Sequence, residues 1–191
     1  MCTFVGLTFE SEGRFRWHSC IRPSDNLCGL TRKLTVHTPR ELLTAAAIEA
    51  MAAQHKVHSL NPNAVRSAKS LGDAVGLTQL GVHLVTVMPG HDSTEYHRHL
   101  YEEEFVYLLS GRGTAQINGQ TFEVAAGDFL GFSRNGVAHG LSNTGTEPMV
   151  CLVAGQRLEQ DVCDYPHQNK RLYINGAQED MVDTRHINTQ D

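Results

Sequence analysis

Long apolar runs and clusters of basic residues are both missing from this chain of 191 residues. No apolar stretch approaches the length of a membrane span, and no basic region precedes an apolar run near the N-terminus. The net charge is −5 and no run of Lys or Arg stands out. Nucleic acid and anionic membranes are therefore poor partners for this chain, and we expect a cytoplasmic protein.

Paired cysteines are also missing. The five cysteines are an odd set without a CxxC pair, namely Cys2, Cys20, Cys28, Cys151 and Cys163. Such a set argues against a disulfide framework, and it fits a reducing compartment. We expect buried, inert thiols.

The chain lacks the sequence signatures of two enzyme classes and of one class of regulator. The chain has no Gly-x-Ser-x-Gly nucleophile motif, and it is too short for a barrel of alternating strands and helices. Residues 1–75 show no helix pair of the kind that reads DNA. One domain with extensions is the expectation for this length.

The first part of the chain predicts an N-terminal extension over residues 1–75. Its first half carries β-like pieces at residues 3–8, 14–18 and 30–37, which are separated by turn signals. An internal start at Met51 stays open as an alternative, in which case the residues before it would be dispensable.

One helix is predicted over residues 39–54, in the second half of the extension. Thr38 is a suitable N-cap, Pro39 occupies the first helical position, and Glu41 completes a capping box. The polar residues 55–75 then look like a connector.

The sequence pattern changes after residue 76, where short strand-like segments alternate with turn signals. Asn118-Gly119 is a strong signal for a two-residue hairpin turn. The strand-like segments are residues 80–87, 105–109, 114–117, 121–124, 129–132, 139–142 and 148–154. Short strands without intervening helices predict an all-β barrel or sandwich over residues 76–156. Residues 157–191 are polar and are predicted to be an irregular C-terminal tail that packs on the barrel.

A metal site is the main chemical prediction, and it rests on three histidines. Side chains two apart on a strand share a face, so His97 and His99 can reach one ion while Arg98 points away. His139 and a glutamate near residue 103 complete a mixed nitrogen and oxygen set. Such a set suits a divalent transition metal better than calcium.

These residues also resemble the two motifs of the cupin superfamily. The first motif is matched by Gly90, His97, His99, Glu104 and Gly111, and the second by Gly127, Gly136, His139 and Asn143. The chain departs from the family pattern by one extra residue before His97, by Ser133 in place of a proline, and by one extra residue before Gly136. All three departures lie in turns, where insertions cost little.

The family spacing also bears on which glutamate is the fourth ligand. Glu103 and Glu104 both follow His99 at an acceptable distance, but only Glu104 also lies correctly before Gly111. Alternation does not decide between them, because both faces of the strand are apolar. Glu104 is preferred and Glu103 stays an alternative.

The resemblance implies a double-stranded β-helix of the jelly-roll type, a bound Mn, Fe, Ni, Co or Zn ion, and a small-molecule ligand or substrate at the barrel mouth. A metalloenzyme of the dioxygenase, decarboxylase, lyase or isomerase type is preferred over a non-catalytic sensor, and a purely structural ion ranks third. The resemblance further implies a homodimer.

Catalytic residues are harder to name than metal ligands. Tyr96, Tyr101 and Tyr107 are weak candidates for an acid or base, because they lie close in sequence to the ligands. His83 is a candidate to line the pocket.

Overall fold

The structure is a computed structural model that describes residues 38–188 and the backbone of two short strands nearer the N-terminus. The chain divides into two compact units, Met1–His37 and Thr38–Asp191. In the first unit, β1 (Leu7–Phe9) pairs antiparallel with β2 (Phe15–Trp17). These strands overlap the first two β-like pieces of the sequence, and the third piece lies outside the described residues.

The second unit is built almost entirely from strands. Its elements are α1 (Ala45–Ala50), β3 (Gln54–His58), β4 (Asn61–Ser70), α2 (Leu71–Val75), β5 (Leu80–Val87), β6 (Arg98–His99), β7 (Glu104–Ser110), β8 (Arg112–Ile117), β9 (Gln120–Ala125), β10 (Phe129–Phe132), β11 (His139–Ser142), β12 (Met149–Gln156), β13 (Gln160–Tyr165), β14 (Lys170–Asn175) and β15 (Gln178–Asp183). Two short 3₁₀ turns, Pro166–Gln168 and Thr184–His186, flank the last two strands. The all-β fold class predicted from the sequence is confirmed.

Two antiparallel sheets enclose the hydrophobic core. A six-stranded sheet has the order β10-β7-β12-β5-β4-β3, and a three-stranded sheet has the order β11-β8-β9. Alternate residues of both sheets face each other, as expected for stacked antiparallel layers. The buried core cluster consists of Val85, Val87, Leu108, Ala115, Val124, Leu141, Met149 and Cys151.

The hairpin predicted at Asn118-Gly119 is confirmed, since Ile117 pairs with Gln120 across it. Both turn residues have positive φ, 50° and 76°, as a type I′ turn requires. Gly113 is needed for a different reason, because a Cβ at this position would overlap the backbone carbonyl of Ser142 on the neighbouring strand.

The segment predicted as an irregular tail is instead a third sheet. β13, β14 and β15 form consecutive hairpins, and β13 also pairs with β6, which gives a four-stranded sheet. Gly176, at φ 61°, opens the two-residue loop between β14 and β15. The prediction of an irregular tail was therefore wrong, and Gly176 was a turn signal that could have indicated the hairpin.

The N-terminal extension also differs from its prediction. The helix begins at Ala45 rather than Pro39, because Thr44 caps it by accepting a hydrogen bond from Ala47 N at 3.1 Å, and it ends at Ala50. The predicted connector contains β4, and β3 and β4 extend the same sheet as β5. In the part of the chain that the structure describes, no helix is long and apolar enough to cross a membrane.

Candidate metal centre and its cavity

A cavity of about 490 Å³ lies inside the second unit and draws its lining from all three of its sheets. Its volume falls in the range of small-molecule sites. Apolar wall residues such as Val85, Val106 and Val153 sit beside an unusually polar set that includes the predicted metal ligands.

Backbone pairing brings His97 and His139 together. The two residues exchange both backbone hydrogen bonds, with N–O distances of 2.9 and 2.7 Å. His97 is 7% exposed and His139 is 5% exposed, so both imidazoles are buried. The ring of Phe132 stacks on His139 with centroids 3.4 Å apart, which restrains that imidazole.

The candidate ligand atoms converge on one point of the cavity. One ligand atom each from His97, His99 and Glu104 lies within 4.8 Å of the other two, so these residues could hold a metal ion. His139 is not a member of that set, but its Nε2 lies 2.5 Å from Glu104 Oε1. The same carboxylate oxygen lies 3.3 Å from His97 Nε2.

Each of the three imidazoles places its Nδ1 against an oxygen outside the cluster, and Nε2 of His97 and His139 contacts Glu104. His97 Nδ1 donates to the carbonyl of Glu95 at 2.8 Å, and His99 Nδ1 donates to Asp161 Oδ2 at 2.5 Å. His139 Nδ1 faces the carbonyl of Val137 at 3.4 Å. A metal ion would take the place of the Nε2 proton, because an imidazole that keeps its proton on Nδ1 binds a metal through the Nε2 lone pair.

The electrostatics of Glu104 also suit a ligand. Burial alone would raise the pKa of its carboxyl, but the hydrogen bonds with His139 and His97 outweigh burial and hold the pKa well below its usual range. Glu104 therefore stays ionised. Glu103, the alternative ligand, points elsewhere, since its Oε1 faces Arg134 N at 3.4 Å.

Asp161 is a site residue that sequence analysis missed, because it lies in the segment predicted as a tail. Its side chain is fully buried. Besides binding His99, it accepts hydrogen bonds from the backbone N–H groups of Tyr101 and Glu102 at 3.1 and 3.3 Å. Burial opposes ionisation of Asp161, but the hydrogen bond with His99 and the backbone donors lower its pKa overall.

A second set of clustered ligand atoms consists of His99, Glu102 and Asp161. Both oxygens of Asp161 already accept hydrogen bonds from the protein, and Glu102 accepts one from Leu158 N at 2.8 Å. This set is therefore better explained as the hydrogen-bonded support of His99 than as a separate metal site. Although burial disfavours the charged imidazole, the Asp161 partner raises the pKa of His99.

The structure brings none of the three candidate tyrosines to this cavity. Tyr96 stacks on His167 and accepts a hydrogen bond from Gly119 N at 3.0 Å. Tyr101 lies under the guanidinium of Arg134 at 5.2 Å, and Tyr107 is 38% exposed on β7. Proximity in sequence was misleading here because alternation and the turn after β6 point these rings away from the cluster.

Two other sequence-based expectations agree with the geometry. Arg98 points away from the cluster and pairs with Asp164 at 3.0 Å. His83 lines the cavity.

Comparisons with known proteins identify the architecture. The family model of the cupin domain matches residues 83–155. A protein of Acidithiobacillus ferrooxidans, whose crystal structure bears the name "Putative sugar phosphate isomerase", is 55% identical over 80% of this chain and 97% of its own, with a TM-score of 0.78.

Two further relatives are more distant. A sugar phosphate isomerase from a cupin superfamily, from Silicibacter pomeroyi, is 25% identical over 78% of this chain and 96% of its own, with a TM-score of 0.67. An uncharacterised protein of Methanocaldococcus jannaschii is 29% identical over 108 residues, which are 56% of this chain and 69% of that protein. Strand order, clustered histidines and these matches agree, and the chain therefore belongs to the cupin superfamily.

Proposed function

We propose that this cupin is a metal-dependent enzyme that interconverts the carbonyl and hydroxyl groups of a small sugar-type substrate. The observation that carries the proposal is the convergence of His97, His99 and Glu104, with His139 beside them, inside a cavity of substrate size. A buried cluster of this kind that also borders a cavity is typical of a catalytic centre.

The donor set fits a divalent first-row ion, because three imidazoles and one carboxylate are ligands that such ions favour. His97, His99, Glu104 and His139 would hold the ion, which is Mn, Fe, Ni, Co or Zn. When bound, it would act as a Lewis acid that polarises a carbonyl or hydroxyl oxygen of the substrate.

The chain itself supplies shape and hydrogen bonding. Val85, Val106 and Val153 line the cavity and exclude water from part of the substrate surface. Burial and the nearby Arg157 lower the pKa of His83, so its imidazole is neutral near pH 7 and can both donate to and accept from sugar hydroxyls.

Isomerisation is favoured over the other cupin reactions by two considerations. The relative that is 55% identical carries the name "Putative sugar phosphate isomerase". Interconversion of an aldose and a ketose moves one hydrogen between neighbouring carbons and one proton between their oxygens, so it balances without an oxidant or co-reactant.

A non-catalytic sensor that binds the same small molecules is the second candidate. The placement of Tyr96, Tyr101 and Tyr107 outside the cavity favours it, since it removes three side chains that were candidates for proton transfer. A cytoplasmic location and a homodimer remain part of the proposal. The buried free thiols of Cys151 and Cys163, whose pKa values burial raises to about 11 and about 12, agree with a reducing compartment.

The test combines metal content with turnover. Untagged protein would be compared by elemental analysis with a His97→Ala, His139→Ala double variant. Both would then be incubated with five- and six-carbon aldose and ketose phosphates, and conversion would be followed by proton NMR. We expect close to one equivalent of a first-row metal and measurable conversion in the wild type, and neither in the double variant.

Two results would count against the proposal. Equal metal content in the two proteins would remove the metal centre. Metal-loaded wild type that binds sugar phosphates without converting any of them would favour the sensor.

A further inference from the structure

Two basic residues lie directly opposite each other on the cavity side of the sheet. Lys56 on β3 is the cross-strand partner of Arg66 on β4, and both line the cavity. Like charges in directly opposed positions of an antiparallel pair are destabilising. This arrangement therefore has a cost in the free protein that an anion bound between the two cations would remove.

Arg66 is exceptional among the arginines that the structure describes, because it is half-buried and no carboxylate of a described residue lies within 4.0 Å of it. The other half-buried arginines, Arg98, Arg157 and Arg171, each form an ion pair with an aspartate. Burial lowers the pKa of Arg66, against the attraction of the more distant Glu104. A partly desolvated guanidinium that forms no ion pair with the described residues is the state that an anionic ligand would stabilise.

The guanidinium also has hydrogen-bond donors to offer. Its Nη1 donates to the carbonyl of Ser93 at 2.7 Å, which fixes the side chain across the cavity. An arginine has five N–H donors, so most of them are free for a ligand. In the described part of the chain every fully buried side-chain nitrogen and oxygen has a partner, so any Arg66 nitrogen without a partner is accessible to solvent, and Arg66 lines the cavity.

His58 adds a neutral donor on the same strand face as Lys56. Its Nδ1 accepts a hydrogen bond from Leu60 N at 3.2 Å, so the neutral ring carries its proton on Nε2. The ring lies 5.4 Å from that of Tyr165, which in turn lies 6.2 Å from His97. Tyr165 therefore links His58 to His97, one of the candidate metal ligands, along the cavity wall.

We propose that Arg66, Lys56 and His58 form a phosphate subsite, so that the substrate is a phosphorylated sugar whose far end reaches His97, His99 and Glu104. The identity of the substrate rests on the proposed function, whereas the subsite itself does not. The planar guanidinium can bind two phosphate oxygens at once, and the lysine ammonium and the histidine N–H supply the remaining donors.

The test measures inorganic phosphate binding by titration calorimetry on the full chain. Wild type would be compared with Arg66→Gln, Arg66→Lys and Lys56→Gln, and with Arg112→Gln as a matched control on an exposed arginine outside the cavity. We expect Arg66→Gln to weaken binding at least tenfold, with smaller losses in Arg66→Lys and Lys56→Gln and none in Arg112→Gln. Circular dichroism would verify that each variant is folded.

The His97→Ala, His139→Ala double variant separates this proposal from the enzymatic one. Phosphate binding that survives in the double variant and is lost in Arg66→Gln supports the subsite, even if no sugar phosphate is converted. Phosphate binding that is lost in the double variant but kept in Arg66→Gln would place the anion on the metal and overturn the subsite. Failure of the wild type to bind phosphate, or tighter binding of malonate than of phosphate, would overturn the phosphate assignment.

Discussion

At the scale of single residues, the candidate centre depends as much on groups that orient the imidazoles as on the imidazoles themselves. Asp161 shows this best, because it holds the Nδ1 proton of His99 and thereby keeps Nε2 directed at the cluster. Carboxylates that hydrogen-bond to metal-binding histidines typically contribute 10- to 100-fold to metal affinity.

The Asp161→Asn substitution tests this role. An amide can donate to His99 Nδ1 as well as accept from it, so the ring is free to adopt the tautomer that blocks Nε2. We expect metal affinity, measured by competition with a chelator, to fall about 10- to 100-fold while the far-ultraviolet circular dichroism is unchanged. Asp180→Asn, at an exposed position of β15 away from the cluster, is the control. Unchanged affinity in Asp161→Asn would show that His99 is oriented by other contacts or is not a ligand.

The residues of the cluster could be predicted from the sequence, but the residue that hydrogen-bonds to His99 could not. The two-residue spacing of His97 and His99, together with His139, was enough to predict one shared site. The choice between Glu103 and Glu104 depended on the family spacing, and the structure places Glu104 beside the imidazoles, opposite Gly155, whose missing side chain leaves room for it. Its role as a ligand stays a prediction. Asp161 was not predictable, because nothing local connects it with His99 across 62 positions.

At the scale of elements, a two-residue strand is responsible for much of the geometry. β6 carries His99 and is paired only with β13 among the described strands. Asp164 on β13 accepts from Arg98 of β6 and from Arg171 of β14, at 3.0 and 2.6 Å, so one carboxylate ties three strands together.

The hydrogen bonds that Asp164 accepts from Arg98 and Arg171 predict a specific pH dependence of stability. Burial tends to raise the pKa of this carboxyl, but the hydrogen bonds from Arg171 and Arg98 lower it overall. A group whose pKa is lowered on folding stabilises the protein above its unfolded pKa, near 3.9, and this contribution disappears as the pH falls through the lower folded value. Asp164→Asn should therefore lower the free energy of unfolding by about 1–3 kcal/mol at pH 7 and by progressively less below about pH 4.

The measurement is urea unfolding between pH 3 and pH 8, with Asp180→Asn on the neighbouring strand β15 as the control. Asp180 is exposed and contacts Gln178 only two residues away. If the difference in the free energy of unfolding between wild type and Asp164→Asn does not change with pH, the ionised Asp164 carboxylate does not stabilise the fold through these hydrogen bonds.

Prediction of the elements failed where the inner face of a strand is polar. Strand β5 and strands β7 to β12 were predictable, because their apolar residues fall in short segments bounded by turn signals. On β3 and β4 the inward positions include Lys56, His58 and Arg66, which line a cavity instead of packing in a core. Period-two hydrophobicity is absent from such strands, so they were mistaken for a connector. The failure of the pattern coincides with the proposed subsite, as expected where function overrides local preference.

At the scale of the whole molecule, the candidate ligands come from different walls of the barrel. Glu104 belongs to the six-stranded sheet, His139 to the three-stranded sheet and His99 to the four-stranded sheet. An ion bound by all of them would link the three sheets. Since these side chains converge only in the folded chain, the ion would bind the native state far better than the unfolded state and would stabilise it by linkage.

Metal removal should therefore lower the melting temperature. With free metal at about 1,000 times its dissociation constant, the stabilisation is about 4 kcal/mol. For a chain of this length that corresponds to a shift of roughly 10 °C between metal-loaded and chelator-treated protein. Differential scanning calorimetry at several metal concentrations would show the shift growing with the logarithm of concentration. The His97→Ala, His139→Ala double variant should show no such dependence, because it lacks two of the four candidate ligands. If the wild type melts at the same temperature with and without metal, the ion does not connect the walls, and the convergence of these side chains needs another explanation.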